Sequence, residues 1–139
     1  MFSAAACLLF TLATQPIEAV AVNILTLACR GQVTSSLGPL KPFTEQSTAT
    51  LIVNLTDRSV SLEGNVVPFT GANDVHIEFG GTYNYEHRQL RTSATLSGQL
   101  NRISGAFIAN RILTFESHAS KYTENYYYNM LCKPARPAF

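Results

Sequence analysis

The sequence has little charge and no motif that is typical of a familiar enzyme class. Only 14% of its 139 residues are charged, with ten basic residues against nine acidic ones. This balance gives no reason to expect a nucleic-acid partner or an anionic membrane surface. The sequence also has no Gly-x-Ser-x-Gly elbow and no glycine-rich phosphate loop. We therefore expect no cofactor and favour a non-enzymatic protein.

Helical periodicity is also missing. Beyond residue 21 there is no tryptophan, no heptad, and no window with apolar residues at a sustained helical spacing. Polar and apolar residues instead alternate in short segments such as 46–57 and 92–100, with Gly, Pro and Asn between them. The pattern predicts an all-β domain. We expect a single antiparallel meander of about seven to nine strands, closed as a small sandwich or barrel.

The first 21 residues differ from the rest. An apolar run leads to Pro16, and small residues stand at Ala19 and Ala21. This pattern is typical of a signal-peptide helix cleaved after Ala21, although no basic residue lies near Met1. The run is too short for a comfortable transmembrane helix. We predict a leader over 1–21 and a single β domain over 22–139, periplasmic or secreted, with membrane contact only through an uncleaved leader.

The cysteines fit this location. Of the three, Cys7 lies in the predicted leader, which leaves Cys29 and Cys132 near the two ends of the exported chain. An even pair in an exported protein favours a disulfide, and two buried free thiols are the alternative. The bond would hold the first strand beside the last. Closing a loop of about 100 residues would stabilise the fold by up to ~4–5 kcal/mol.

Several local assignments complete the sequence-based prediction. Residues 32–45 contain serines, a glycine and two prolines, which indicates a long surface connection. Gly80-Gly81 is typical of a hairpin turn. At the turn beginning with Asn101, Ile103 is expected to return the chain to the core. If a short helix exists, it is expected at 116–125.

Three segments together resemble a known group of proteins. They are Leu27-Ala28-Cys29-Arg30-Gly31, Leu100-Asn101-Arg102-Ile103-Ser104-Gly105, and the ending from Tyr128 to Phe139. The group comprises small exported proteobacterial proteins with a leader, an Asn/Asp-Arg-Ile/Val-Ser/Thr-Gly turn and a Tyr-x-Leu-x-Cys-x-Pro tail. Met130 stands where Leu is usual. The resemblance implies an exported location and a disulfide, and it implies no chemistry.

Two short pairs of residues could bind a metal ion. His76 and Glu78 are two apart on one predicted strand, and Glu116 and His118 have the same spacing. Neighbouring strands would bring two imidazoles and two carboxylates together, which is a workable ligand set for zinc. The alternative is that both pairs belong to the polar faces of half-solvated strands.

Tyrosines are concentrated near the end of the chain. Tyr122, Tyr126, Tyr127 and Tyr128 could form a rigid amphipathic surface that contacts a partner or a sugar. The alternative is that alternate tyrosines enter the core while the others cover a sheet face, because strands favour tyrosine in any case.

The sequence favours a monomeric exported binding or interaction protein whose partner is an envelope component or a small ligand. One alternative is a metal-dependent hydrolase built on His76, Glu78, Glu116 and His118. Another is an inhibitor of a secreted hydrolase that presents residues 32–45.

Overall fold

Eight antiparallel strands form a closed barrel in the computed structural model, which describes residues 23–87 and 90–135. Each strand pairs with the next in the chain, and the last returns to pair with the first. The strands are β1 Ile24–Leu37, β2 Phe43–Asn54, β3 Ser59–Leu62, β4 Asn65–Ala72, β5 His76–His87, β6 Leu90–Asn101, β7 Ala106–Glu116 and β8 Lys121–Pro134. The predicted all-β meander is confirmed. Of the two predicted forms, sandwich and barrel, the structure has the barrel. The predicted signal peptide lies outside the described residues.

The predicted disulfide is present where the barrel closes. Cys29 of β1 and Cys132 of β8 are directly opposite each other in the register, with their Cα atoms 3.9 Å apart. Both side chains are buried. The bond therefore joins the first and last strands covalently, as expected from the sequence, and it is compatible with an oxidising location.

Alternation along the strands determines which side chains enter the barrel. In β2, for example, Ala49, Leu51 and Val53 are buried, whereas Thr50 and Ile52 between them face outward. One half of the interior is apolar and sealed, and we call it the closed half. Its largest fully buried side chains are Leu51, Val53, Val60, Leu62, Ile77, Phe79 and Phe107. Phe79 and Phe107 stack there with ring centroids 6.0 Å apart.

The long connection predicted at 32–45 is wrong. β1 continues through Gly31 to Leu37 and β2 begins at Phe43, so only a short turn remains between them. Gly31 does not end the strand. A Cβ at this position would overlap Asn129 O of β8 and lie 2.7 Å from Met130 Cα. The glycine allows close approach of two backbones. Because strands occupy most of 32–45, the long loop on which the inhibitor hypothesis depended is absent.

The hairpin predicted at Gly80-Gly81 is also wrong, because both glycines lie inside β5. A Cβ on Gly81 would lie 3.1–3.3 Å from Pro68 and Val67, which shows that β4 packs closely there. No helix forms at 116–125 either, since Ser117 and Ser120 form a turn between β7 and β8. Among the described residues there is no helix of the length and apolarity needed to span a membrane.

Asparagine side chains organise two turns at the end of the closed half. Asn101 Oδ1 accepts hydrogen bonds from the N–H groups of Ile103 and Ser104, both at 2.9 Å. Arg102 Nη1 donates to the carbonyl oxygen of Asn73 at 2.8 Å and thereby connects the β6–β7 turn to the β4–β5 turn. Ile103 is 78% exposed, so the expectation that it returns to the core is wrong. The side-chain oxygen of Asn101 shapes the turn.

Candidate functional site

The barrel interior opens to solvent at the end opposite these two turns. Inward-facing residues of β2 become progressively more exposed from buried Ala49 through half-buried Ser47 to exposed Phe43. The same gradient runs along β8 from buried Tyr128 to exposed Tyr122. We call this open half the cup. It is lined by inward-facing side chains of five strands, namely Ser35, Leu37, Phe43, Glu45, Ser47, Thr92, Arg111, Leu113, Phe115, Tyr122, Glu124 and Tyr126.

The short β3–β4 hairpin leaves one side of the cup open. β2 starts at Phe43, but its pairing with β3 begins only at Leu51. Glu63 and Gly64 make a tight turn with positive φ at both residues, as expected for a two-residue hairpin loop of type I′. The hairpin therefore ends halfway up the barrel, at the level of the floor of the cup.

Arg111 is the cation of the cup. It shares the inward phase of β7 with buried Phe107 and Ala109, and its partners in the register are Leu96 and Tyr126. Its Nη2 donates a long hydrogen bond of 3.4 Å to the carbonyl oxygen of Leu62 at the end of β3. The guanidinium carbon lies 5.7 Å from the centre of the Tyr128 ring. Arg111 thus reaches across the interior from β7 towards the hairpin.

The hydrogen-bonding capacity of Arg111 is not fully used. Its Nε is buried without a hydrogen-bond partner, and no carboxylate among the described side chains pairs with its guanidinium. A half-buried arginine presents planar donors that match a carboxylate or a phosphate in bidentate geometry. The floor of the cup therefore carries a partly desolvated cation with free donor capacity.

Two tyrosines beside Arg111 remain neutral phenols at ordinary pH. Burial, followed by the hydrogen bond and the negative charge of Glu124, raises the pKa of Tyr126 to about 12. The Tyr126 hydroxyl donates to Glu124 Oε2 at 2.7 Å. Burial also raises the pKa of Tyr128, although Arg111 acts in the opposite direction. Glu124 therefore already accepts one strong hydrogen bond from its own strand.

The wall above Arg111 contains apolar side chains together with Glu124, which lies between Leu37 and Leu113 in the register. The next inward positions towards the mouth are Leu113 and Leu37, and Phe115 follows, stacked on Tyr122 with ring centroids 4.8 Å apart. Phe115 lies four residues beyond Arg111 on β7, a distance of about 13 Å along the strand. A ligand that reaches Arg111 would therefore pass a wall of this length, made of apolar side chains and Glu124.

The structure separates the tyrosines that the sequence grouped together. Tyr122, Tyr126 and Tyr128 are on the inner face of β8, where Tyr128 is only 7% exposed and belongs to the core. Tyr127 points outward and is 45% exposed. Two of the four, Tyr122 and Tyr126, line the cup, and no single tyrosine surface exists on this strand.

The four predicted metal ligands lie at opposite ends of the barrel. Glu78 pairs through Gln99 with Ile108 of β7, and Glu116 is eight residues further along that strand, about 26 Å away. His76 lies beyond Glu78 at the closed end, and His118 is in the turn at the open end. The structure does not bring the two pairs together, and the residues it describes contain no cluster of three potential metal ligands.

Sequence reasoning missed Arg111, although the sequence contained the signal. Phe107, Ala109, Leu113 and Phe115 alternate in one phase, and Arg111 interrupts that phase with a charge. A charged residue at a position whose neighbours face the core is expensive unless it is paired or functional. A charged arginine at a position where the alternation predicts an apolar side chain was the most direct sequence evidence for the cup.

The fold and the cup place the protein in the class of small eight-stranded meander barrels. In such barrels the interior is either filled by side chains or holds one small ligand. The chain matches no protein-family model, no curated protein and no solved structure. The chemistry of its own residues therefore has to define the function.

Proposed function

We propose that this protein is an exported, non-enzymatic binding protein that takes a small amphipathic carboxylate into the cup. The carboxylate lies against Arg111, and the apolar part of the ligand extends along Leu113 and Phe115 towards the mouth. The Cys29–Cys132 bond supports an exported, oxidising location.

Arg111 is the observation that carries the proposal. A half-buried guanidinium without a carboxylate partner is unfavourable for folding. It gives up part of its hydration free energy, and no opposite charge replaces the lost interactions with water. An incoming carboxylate would supply the missing partner through charge-assisted hydrogen bonds, each worth about 1.5–3 kcal/mol. The ligand carboxylate thus gains binding free energy at the group whose hydrogen-bonding capacity is least used in the empty protein.

The apolar wall supports a ligand with a hydrocarbon body. Leu37, Leu113 and Phe115 face the space between Arg111 and the solvent. Burying apolar surface against them contributes roughly 25 cal/mol per Å². Small-molecule sites combine such a wall with one or two polar groups that fix the orientation of the ligand. An acid with a chain of medium length meets both requirements.

Calorimetric titration with octanoate and octanol tests the proposal. The two probes share the hydrocarbon chain and differ in the charged group. We expect octanoate to bind at least about tenfold more tightly than octanol, a difference of about 1.4 kcal/mol. Arg111→Met should remove this difference, because the unbranched side chain retains the packing without the guanidinium.

Arg30→Met provides the matched control. Arg30 is an exposed arginine on the outer face of β1, so its replacement changes the net charge equally and leaves the cup intact. Octanoate affinity should be the same in this variant as in the natural protein. An equal loss in both variants, or equal affinity for octanol and octanoate, would show that Arg111 does not select the ligand.

A further inference from the structure

A second concave surface lies on the outside of the barrel, across β4–β8. It is a shallow depression with a volume of about 320 Å³ that is wide open to solvent. We call it the outer groove. The polar and aromatic side chains that line it are Thr70, Glu78, Ser97, Gln99, Asn110 and Tyr127.

The strand register explains why this part of the outer face is concave. One cross-strand row contains Gly80, Ser97, Asn110 and Tyr127, and the row beside it contains Glu78, Gln99 and Ile108. Gly80 has no side chain and Ser97 has a small one, so the floor is low at one end of the first row. The ring of Tyr127 stands at the other end.

The composition of the outer groove fits a sugar ring better than an ion or a purely apolar ligand. Adjacent hydroxyls of a hexose act as both donors and acceptors, and amide, hydroxyl and carboxylate groups such as those of Asn110, Gln99 and Glu78 match this property. One face of the hexose carries C–H groups, which pack against an aromatic ring. Tyr127 provides an amphipathic ring of this kind.

Asn110 adds an independent observation. Its Oδ1 is buried and has no hydrogen-bond partner, although buried polar atoms are normally paired. Asn110 lies between Ser97 and Tyr127 in the same row, and because its Oδ1 is covered, the side chain has to turn towards the groove before a bound hydroxyl can reach that oxygen. The middle of the outer groove thus retains unused hydrogen-bonding capacity beside an aromatic platform.

We propose that the outer groove binds a neutral hexose unit of a glycan, with its apolar face on Tyr127 and its hydroxyls towards Asn110, Gln99 and Glu78. This site is separate from the cup and uses the opposite face of the sheet. Sites with a single aromatic ring and a few polar groups are shallow, and a dissociation constant of about 1 mM corresponds to only ~4 kcal/mol.

Amide-resolved NMR titration of the full chain with maltohexaose and chitotetraose tests this inference. We expect at least one of the two neutral oligosaccharides to shift the backbone amides of Ser97, Asn110 and Tyr127 in a saturable manner. Tyr127→Ala should abolish the shifts. Tyr122→Ala is the matched control, since it removes an equally exposed tyrosine from the mouth of the cup and should leave them unchanged.

Gly80→Val adds bulk beside Ser97 and Thr70, at the end of the outer groove away from Tyr127. A Cβ at Gly80 would meet only ordinary contacts at 3.5–3.7 Å, so a small side chain fits there while the barrel stays folded. Binding should be lost in this variant too. The proposal is overturned if neither oligosaccharide shifts these amides, if the shifts fall in the cup, or if they persist in both Tyr127→Ala and Gly80→Val.

Discussion

The two halves of the barrel interior have opposite properties although they are made from the same strands. On β7, Phe107 is completely buried in the closed half, whereas Phe115, eight residues further along, is half-buried in the cup. The closed half has the disulfide and stacked aromatic rings, and the cup has Arg111, Tyr126 and Glu124. Under the proposed function, stability and ligand recognition therefore belong to different ends of one barrel.

This separation explains how the fold tolerates Arg111. Burying an unpaired cation is unfavourable, and cavities or polar groups in a small core can cost a large fraction of the net stability. The closed half concentrates apolar burial and covalent closure away from the cup. The binding end can then contain unsatisfied groups without unfolding the barrel.

Removing the disulfide should produce the largest loss of stability. Cys29 and Cys132 are 103 residues apart in sequence, so their bond restricts most of the unfolded chain. We expect replacement of both by Ala to lower the free energy of unfolding by up to ~4–5 kcal/mol. Urea denaturation of the oxidised natural protein and the double variant measures this difference. A loss below about 1 kcal/mol would contradict the role assigned to the closed half.

A pair of phenylalanines compares the two halves directly. Phe107→Ala should lower the free energy of unfolding by about 3–4 kcal/mol, because it leaves a cavity beside Phe79 in a sealed core. Phe115→Ala removes a stacked ring at the solvent-open end and should cost about 1 kcal/mol. Denaturant titrations of both variants give the comparison. Equal losses would mean that the interior is sealed at both ends.

Two arginines provide a smaller contrast. Arg111→Met should leave the free energy of unfolding unchanged or raise it by about 1 kcal/mol, since it removes an unpaired half-buried cation. Arg102→Met removes the 2.8 Å bond to Asn73 and should lower it by about 0.5–1 kcal/mol. Thermal unfolding under identical conditions separates the two. A clear destabilisation by Arg111→Met would indicate a structural role for that residue.

The smallest predicted effect is a pH dependence from Tyr126. Its pKa is about 12 in the folded protein, above the ordinary tyrosine pKa of 10.0. The unfolded chain therefore loses this proton first, and the stabilisation, complete below pH 10, declines as pH rises towards 12. Tyr126→Phe should show a shallower decline in denaturant midpoint over that interval. Because the pKa of Tyr128 is raised as well, phenolate absorbance of the folded variant should show one late-titrating tyrosine fewer than the natural protein.

Alternation made the barrel predictable, because period-two patterns determine which side chains are buried. Leu51 and Val53 share one phase of the alternating segment 46–57, Ala94 and Leu96 share one phase of 92–100, and all four are buried. Glycines were interpreted less well. Gly31 and Gly81 resembled strand ends, but each lies inside a strand where another strand packs closely. Such close approaches involve residues distant in sequence, so local patterns do not reveal them.

The site was less predictable than the fold. The tyrosines of β8 are adjacent in sequence, yet the pleat sends Tyr127 outward and Tyr126 inward. The two His/Glu pairs share a spacing, but strand order and register place them at opposite ends. The cup depends on how far the β3–β4 hairpin extends and on which end is open. Neither property is encoded in a local window.

The most direct test of the division between the two halves is to map where octanoate binds by amide-resolved NMR. We predict saturable shifts at the backbone amides of Arg111, Leu113 and Tyr126, with the amides of Val60 and Ile77 unchanged, and loss of these shifts in Arg111→Met. Shifts centred on Val60 and Ile77, or an undiminished response at Leu113 and Tyr126 in Arg111→Met, would contradict the account.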